Sequence, residues 1–211
     1  MANSSAESIY LHYWGKASPP EDSAHSFHLL PFHSLDVAAV GASLLQHHRP
    51  IADHLAALLG MSDAEFPRWA VLFLALHDLG KFAITFQRLR SDLLLTMQGR
   101  ETDKQSRHRH DTLGYLLWKK SIRQAWQENG LLPKPRPRSR VTPDAIESAD
   151  IWMAAMTGHH GTPPKPVEMV ITDAFEPVDQ QAANIFVGEV IELLLTDRTR
   201  FPSADVAQLK Q

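Results

Sequence analysis

Residues 69–82 read Trp69-Ala70-Val71-Leu72-Phe73-Leu74-Ala75-Leu76-His77-Asp78-Leu79-Gly80-Lys81-Phe82. The stretch from Trp69 to Leu76 is apolar without interruption. It falls far short of the ~20 residues a membrane helix needs. An element apolar nearly all round belongs at the centre of a helical core, so a central helix is predicted over about 69–79. Ser62 and Glu65 upstream form a capping box, and Gly80 offers a stop. The first polar residues after the apolar run are His77 and Asp78. A buried ionised carboxylate without a partner costs several kcal/mol. A divalent cation is one remedy, and imidazole with carboxylate suits Mn, Fe, Co, Ni or Zn. The alternative is a capped helix end, with Asp78 paired to Lys81 and His77 merely packed.

Further helices are expected on both sides. Ser34 can cap one running to about His47, with Leu35, Ala38, Ala42 and Leu45 on its apolar face. Pro50 suits the first turn of a second, which Gly60 ends. Its stripe would be Ile51, Leu55, Leu58 and Leu59. Periodicity predicts others over about Ile84–Met97, His110–Asn129 (ending at Gly130), from Thr142 and Pro143 through Met156, and over Glu176–Thr196. Gly99–Arg109 reads as a loop. Val167–Thr172 fits a short strand or an extended loop, and strand signals are otherwise weak. The fold class is therefore all-α, a helical bundle around the 69–79 helix with extended loops.

Composition narrows the chemistry. The chain has 211 residues, of which 44% are hydrophobic and 21% charged, enough for one domain with a sizeable core. It contains no cysteine, which excludes disulfides, thiolate metal sites and cysteine nucleophiles. The formal net charge is -3, so any nucleic-acid binding must come from local patches or bound metal. The first sixteen residues lack a basic region followed by an apolar one, so no signal peptide is read. A cytoplasmic protein without a membrane partner is expected. The 12 histidines are the outlying number. Histidine is the commonest metal ligand.

Beside His77-Asp78, three further histidine signals fall at expected helix ends. Thr157-Gly158-His159-His160-Gly161 places two imidazoles between glycines at a core edge. His33 precedes the helix that Ser34 would cap. His110 sits at a helix mouth and is preferred to His108, which lies further out in the loop. Taken singly, each is as readily a surface or filler residue. Taken together, His33, His77, Asp78, His110, His159 and His160 suffice for two ions sharing Asp78. Paired ions ~3.5–4 Å apart are the usual device for phosphodiester hydrolysis.

The ordered set of motifs resembles a known family. Tyr13-Trp14-Gly15-Lys16, the run His28 to Val40, His77-Asp78-Leu79-Gly80-Lys81-Phe82 with Phe86-Gln87, Arg109-His110, and Thr157 to Gly161 are similar to the HD phosphohydrolase superfamily. Within it they resemble the N-terminal HD nuclease domain of the CRISPR-associated helicase–nuclease of type I systems, nearest the Escherichia-like subtype. The likeness covers Tyr10 to about Gly161, and the remainder more loosely.

The resemblance implies a metal-dependent endonuclease that cuts single-stranded DNA in antiviral defence. It would hold one or two divalent metals, among Mn, Ni, Co, Fe or Mg. His33, His77 and Asp78 would serve one ion. Asp78, His110, His159 and His160 would serve the other. Asp78 and Lys81 would be the catalytic residues, with Lys81 steadying the scissile phosphate. Partners would be the single strand, a helicase domain of the same or a companion chain, and the guide-RNA surveillance complex. Lys16, Lys134, Arg136 and Arg138 are the candidates for DNA contact, and Asp36 for orienting a ligand histidine. Lys16 neighbours Trp14, which is also a candidate core residue.

One departure stands out. The family's final metal ligand is an aspartate in an Ala-Asp-Trp type motif on a later helix, and no such motif occurs here. Asp150 lies before the His pair and is followed by Ile151. The chain is thus expected to be a single HD-type domain over 1–211 that stops before the family's last helices, with the helicase portion absent. Two other readings stay open: a generic HD phosphohydrolase acting on nucleotides, and a catalytically incomplete module docking to a protein.

Overall fold

A computed structural model describes residues 8–18, 27–134, 144–195 and 200–202. After a single-turn 3-10 helix at Ile9–His12, β1 (Trp14–Ala17) and β2 (Phe27–Leu29) pair as an antiparallel ribbon. The helices follow: α1 (Leu30–His47), α2 (Arg49–Leu58), α3 (Glu65–Ala75), α4 (Ile84–Gln87), α5 (Ser91–Gln98), α6 (His110–Leu117), α7 (Arg123–Glu128), α8 (Asp144–Thr157) and α9 (Pro177–Leu194). A π turn, Trp118–Ile122, joins α6 to α7 without a break. The architecture is all-α with this one small ribbon among the described residues. No single described helix is long and apolar enough to cross a membrane.

α3 is the central helix, packed against α1, α8 and α9. Trp69, Leu72, Phe73, Ala75 and Leu76 are all essentially inaccessible. Phe73 lies 5.3 to 6.3 Å, centroid to centroid, from Trp152, Phe201, Trp126 and Trp118. Such tilted and edge-on pairs add to the area each ring buries. The capping box forms as the sequence predicts. Glu65 N donates to Ser62 Oγ at 3.2 Å, and Ser62 N donates to Glu65 Oε2 at 3.3 Å.

Several expectations need correction. α3 ends at Ala75, before His77-Asp78, because its last bonds tighten to the i−3 pattern. Leu76 N bonds Phe73 O, and His77 N bonds Leu74 O. A 3-10 turn, Leu79–Phe82, continues the chain. Gly80 is not left-handed and serves closeness, not a helix stop. α1 starts four residues before Ser34, with Pro31 in its first turn. Ser34 is buried inside it and Ala42 is exposed. In α2 the alanines Ala52 and Ala56 face inward, while Ile51 and Leu58 are exposed. The predicted 84–97 helix is broken at Arg88–Arg90. Of the two readings of Val167–Thr172 the loop is the one observed, running into a 3-10 turn at Ile171–Asp173, while the β1–β2 ribbon has no counterpart in the sequence reading. Thr142 and Pro143 lie outside the described residues.

The ribbon is anchored at several points. Leu30 N bonds Tyr13 O at 2.7 Å, which continues β2 directly into α1. Tyr13 Oη donates to the fully buried Asp179 at 2.7 Å, and Arg100 pairs with the same oxygen at 2.7 Å. Asp179 also caps α9 by accepting from Glu176 N. One carboxylate thus ties the N-terminal segment, the 99–109 loop and α9 together.

Candidate metal centre

Asp78 sits at the meeting point of four segments. α1 brings His33, the turn after α3 brings His77 and Asp78, the start of α6 brings His110, and the end of α8 brings His159 and His160. Close backbone contact makes this convergence possible. A Cβ on Gly80 would lie 1.8 Å from His110 O and 2.5 Å from Gly114 N. Only glycine lets the 3-10 turn lie directly against α6.

The two oxygens of Asp78 have different surroundings. Oδ2 lies 2.9 Å from His33 Nε2, 3.1 Å from His77 Nε2 and 2.8 Å from Lys81 Nζ. Oδ1 is buried with no hydrogen-bond partner. It faces His110 Nε2 at 3.4 Å and His159 Nε2 at 3.7 Å. His160 Nε2 approaches His110 Nε2 to 3.0 Å. The side chains form two groups, His33 with His77 and Asp78, and His110 with His159 and His160. Asp78 stands between them.

This arrangement fits cations. His77 Nδ1 is 2.7 Å from Leu74 O, which can only accept, so Nδ1 carries the proton. In the neutral ring Nε2 then turns a lone pair toward a carboxylate oxygen 3.1 Å away. Two acceptors at that distance require a cation or a second proton between them. His159 Nδ1 likewise lies 3.3 Å from Met156 O, which leaves its Nε2 for the centre. Separations of 2.9 to 3.1 Å between donor atoms are also those of neighbouring ligands held ~2.0–2.2 Å from one ion.

The electrostatics point the same way. Burial pushes the Asp78 carboxyl up. With the second proton on His77 Nε2, hydrogen bonds from His33 and His77 and the charges of His77 and Lys81 outweigh it, and the group is held far below the usual carboxylate range. Burial pushes His110 down to about 4; Asp78 opposes this, while Lys81, His160 and His159 add to it. Burial lowers His159 too, against Asp78 and with His77 and His160. These two imidazoles keep their lone pairs at neutral pH.

Lys81 is held at both ends. Its Nζ, buried beside Asp78, also donates to Gly15 O at 2.9 Å. The salt bridge offered as the alternative to metal ligation therefore exists, but it occupies only Oδ2. Gln87, fully buried, clamps the surroundings. Its Nε2 donates to Lys81 O at 2.7 Å and to Trp14 O at 2.9 Å, and its Oε1 accepts from Trp14 N at 3.2 Å. Trp14 Nε1 returns a bond to Gln87 O at 3.2 Å. The sequence drew attention to Phe86-Gln87 without giving the pair a task. Only the fold shows that Gln87 holds the two backbones between which Lys81 is stretched.

Other candidates are placed differently. Trp14 is buried, and Lys16 is exposed on the ribbon opposite His28. Asp36 faces His28 Nε2 at 3.6 Å, so it pairs with a non-ligand histidine instead of orienting His33. Lys134 is exposed. Arg136 and Arg138 lie outside the described residues. Asp150 accepts from Trp118, Lys119 and Arg123, each within 2.8 Å, and has a structural occupation of its own.

Residues 14–209 match the family model described as Cas3, HD domain. The chain belongs to the Cas3 HD domain family. It is 31% identical over 157 residues to the CRISPR-associated endonuclease/helicase Cas3 of Escherichia coli (strain K12), a match covering 71% of this chain. The chain spans 17% of that curated relative's length. Among solved structures it is similar to the Thermus thermophilus Cas3 HD domain in the presence of Ni2+, with a TM-score of 0.58 and 24% identity over 96% of this chain and 72% of that one. It is also similar to a chain of a CRISPR RNA-guided surveillance complex, pre-nicking, with a TM-score of 0.64 and 19% identity over 91% of this chain and 22% of that one. At these identities the likeness concerns the fold.

Proposed function

We propose that this chain is a metal-dependent nuclease domain, hydrolysing phosphodiester bonds of single-stranded DNA in CRISPR defence. The observation that carries the reading is the unpartnered, buried Oδ1 of Asp78, set between two histidine groups. His33, His77 and Asp78 would hold one divalent ion, and His110, His159 and His160 with Asp78 a second. Bound ions supply a lowered pKa for the attacking water and neutralise charge on the phosphate oxygens.

The chain's own residues supply the rest. Leu74 O and Met156 O fix the ring orientations of His77 and His159. Lys81 Nζ has three donors; Asp78 and Gly15 take two, and the third is available to an anionic phosphate oxygen. In the reaction a water oxygen bonds to phosphorus as the bond from phosphorus to one strand oxygen breaks. The attacking water gives up one proton and the departing strand oxygen takes one up, so that strand ends in a hydroxyl and the other keeps the phosphate. Support for the biological setting comes from the relatives, one described as an endonuclease/helicase and another as part of a surveillance complex. A helicase domain, in this or a companion chain, and a guide-RNA complex are the partners this reading assigns.

The test is loss of circular single-stranded DNA by the metal-stripped protein after addition of Mn, Ni, Co or Mg, beside His77→Ala and Asp78→Asn. Asparagine is preferred at 78 because alanine would leave buried Lys81 with Gly15 O alone of its two acceptors. Metal-dependent loss of circles by the wild type alone supports the reading. Cleavage retained by both variants, or no cleavage by the wild type with any metal, overturns it for this chain.

A further inference from the structure

A groove of about 200 Å³ opens between the α6–α7 helix and the segment after His160. Its rim carries Lys119, Lys120, Arg123 and Lys165, and no acidic residue lines it among the described residues. Behind it, Asp150 Oδ2 accepts from Lys119 Nζ at 2.7 Å and from Arg123 at 2.8 Å. One carboxylate thus offsets one of four positive charges and holds two of the side chains in place. The groove keeps a surplus of about three charges. The chain as a whole is negative, at -3.

The π turn contributes to this geometry. Trp118–Ile122 is the one wide turn in an otherwise α-helical rod, and it carries both Lys119 and Lys120. Trp118 Nε1 donates to Asp150 Oδ1 at 2.7 Å, so the turn is fastened to α8 through the same carboxylate. Lys120 and Lys165 are exposed, and each can turn its ammonium to a ligand. Holding Lys119 and Arg123 beforehand lowers the side-chain ordering cost of binding.

Both walls belong to segments that also carry metal-centre histidines. One wall starts at Thr112, two residues after His110, and runs to Arg123. From Thr112 to Lys120 the helix advances ~12 Å. The other wall is the Lys165–Val167 segment, which begins five residues after His160.

We infer that this groove binds the phosphate backbone of single-stranded DNA, with Lys120 and Lys165 as its accessible phosphate contacts. The inference deepens the nuclease reading by naming where the strand is gripped, and it is tested without reading cleavage. Binding of a short fluorescein-labelled oligothymidylate is followed by anisotropy in the metal-free protein, across a range of salt concentrations. The comparison is with Lys120→Ser, Lys165→Ser and the double variant. Both residues are exposed, so the folded state is checked by circular dichroism and is expected to be unchanged.

The double variant is expected to bind on the order of tenfold more weakly at ~0.1 M salt. Its slope of log affinity against log salt should fall by about 1.4, at ~0.7 for each lost single-strand phosphate. Affinity and slope equal to wild type, or no binding by the wild type, would overturn the groove assignment. The metal-dependent cleavage assay decides the nuclease reading separately.

Discussion

Asp78 turns its unpartnered Oδ1 toward His110 Nε2, 3.4 Å away, while its other oxygen is surrounded by His33, His77 and Lys81. Folding therefore brings ligand-type atoms from separate segments together with one acceptor unsatisfied. An ion bound there stabilises the native state by RT ln(1 + [M]/Kd), with [M] the free ion concentration, since the unfolded chain has no such cluster. At a free concentration of 100 times Kd the gain is ~2.7 kcal/mol. Thermal unfolding should show Mn or Ni raising the midpoint of the stripped wild-type protein, and Asp78→Asn removing most of that rise. An equal rise in the variant would place the ion elsewhere.

Gln87 should matter to both stability and rate. Replacing it by leucine leaves the Trp14 amide and the Trp14 and Lys81 carbonyls without their buried partners. The expected cost is ~1–3 kcal/mol for each group left unsatisfied, read from urea unfolding. Because Gly15 O and the Lys81 backbone would lose their common support, cleavage should slow in kcat with KM for DNA little changed. A variant that is destabilised but cleaves at the wild-type kcat would confine Gln87 to a purely structural role.

Acid should weaken the metal-free fold through His110. Its pKa is about 4 in the native protein, against an ordinary value of 6.5. Between these values the unfolded chain binds more protons than the native one, so stability rises with pH across that window. The stabilisation is complete above about 6.5 and is lost as pH falls toward 4. His110→Gln, which cannot titrate, should flatten the dependence of unfolding free energy on pH in that range. An unchanged slope would mean another group is responsible.

Gly80→Ala tests the packing that assembles the centre. The added methyl would meet the His110 carbonyl at 1.8 Å, a backbone atom that cannot rotate away. The 3-10 turn and α6 must then separate, at ~1–3 kcal/mol or more. Because Asp78 and His110 ride on those two segments, metal affinity should fall with stability. Isothermal titration with Mn checks it, and wild-type affinity in a destabilised protein would show the centre to be independent of this contact.

Much of this protein is written in local sequence. The apolar run at Trp69–Leu76, the Ser62–Glu65 capping box, the prolines opening α1, α2 and α9, and the left-handed glycines Gly60, Gly99 and Gly130 each act within a few residues. Residue type and spacing also singled out His33, His77, Asp78, His110, His159 and His160. What local sequence could not carry depends on segments distant along the chain. The Trp14–Ala17 and Phe27–Leu29 strands are too short to alternate legibly, and each exists only by pairing with the other. α3 stops at Ala75 because the following turn must fit against α6. α2 buries alanines and exposes Ile51 because close approach, not side-chain size, decides which face packs. The division of the ligand-type side chains around the two oxygens of Asp78, and the clamp of Gln87 on Trp14 and Lys81, arise only when helices distant in sequence meet, since burial and donor–acceptor distance are properties of that meeting and not of any one segment.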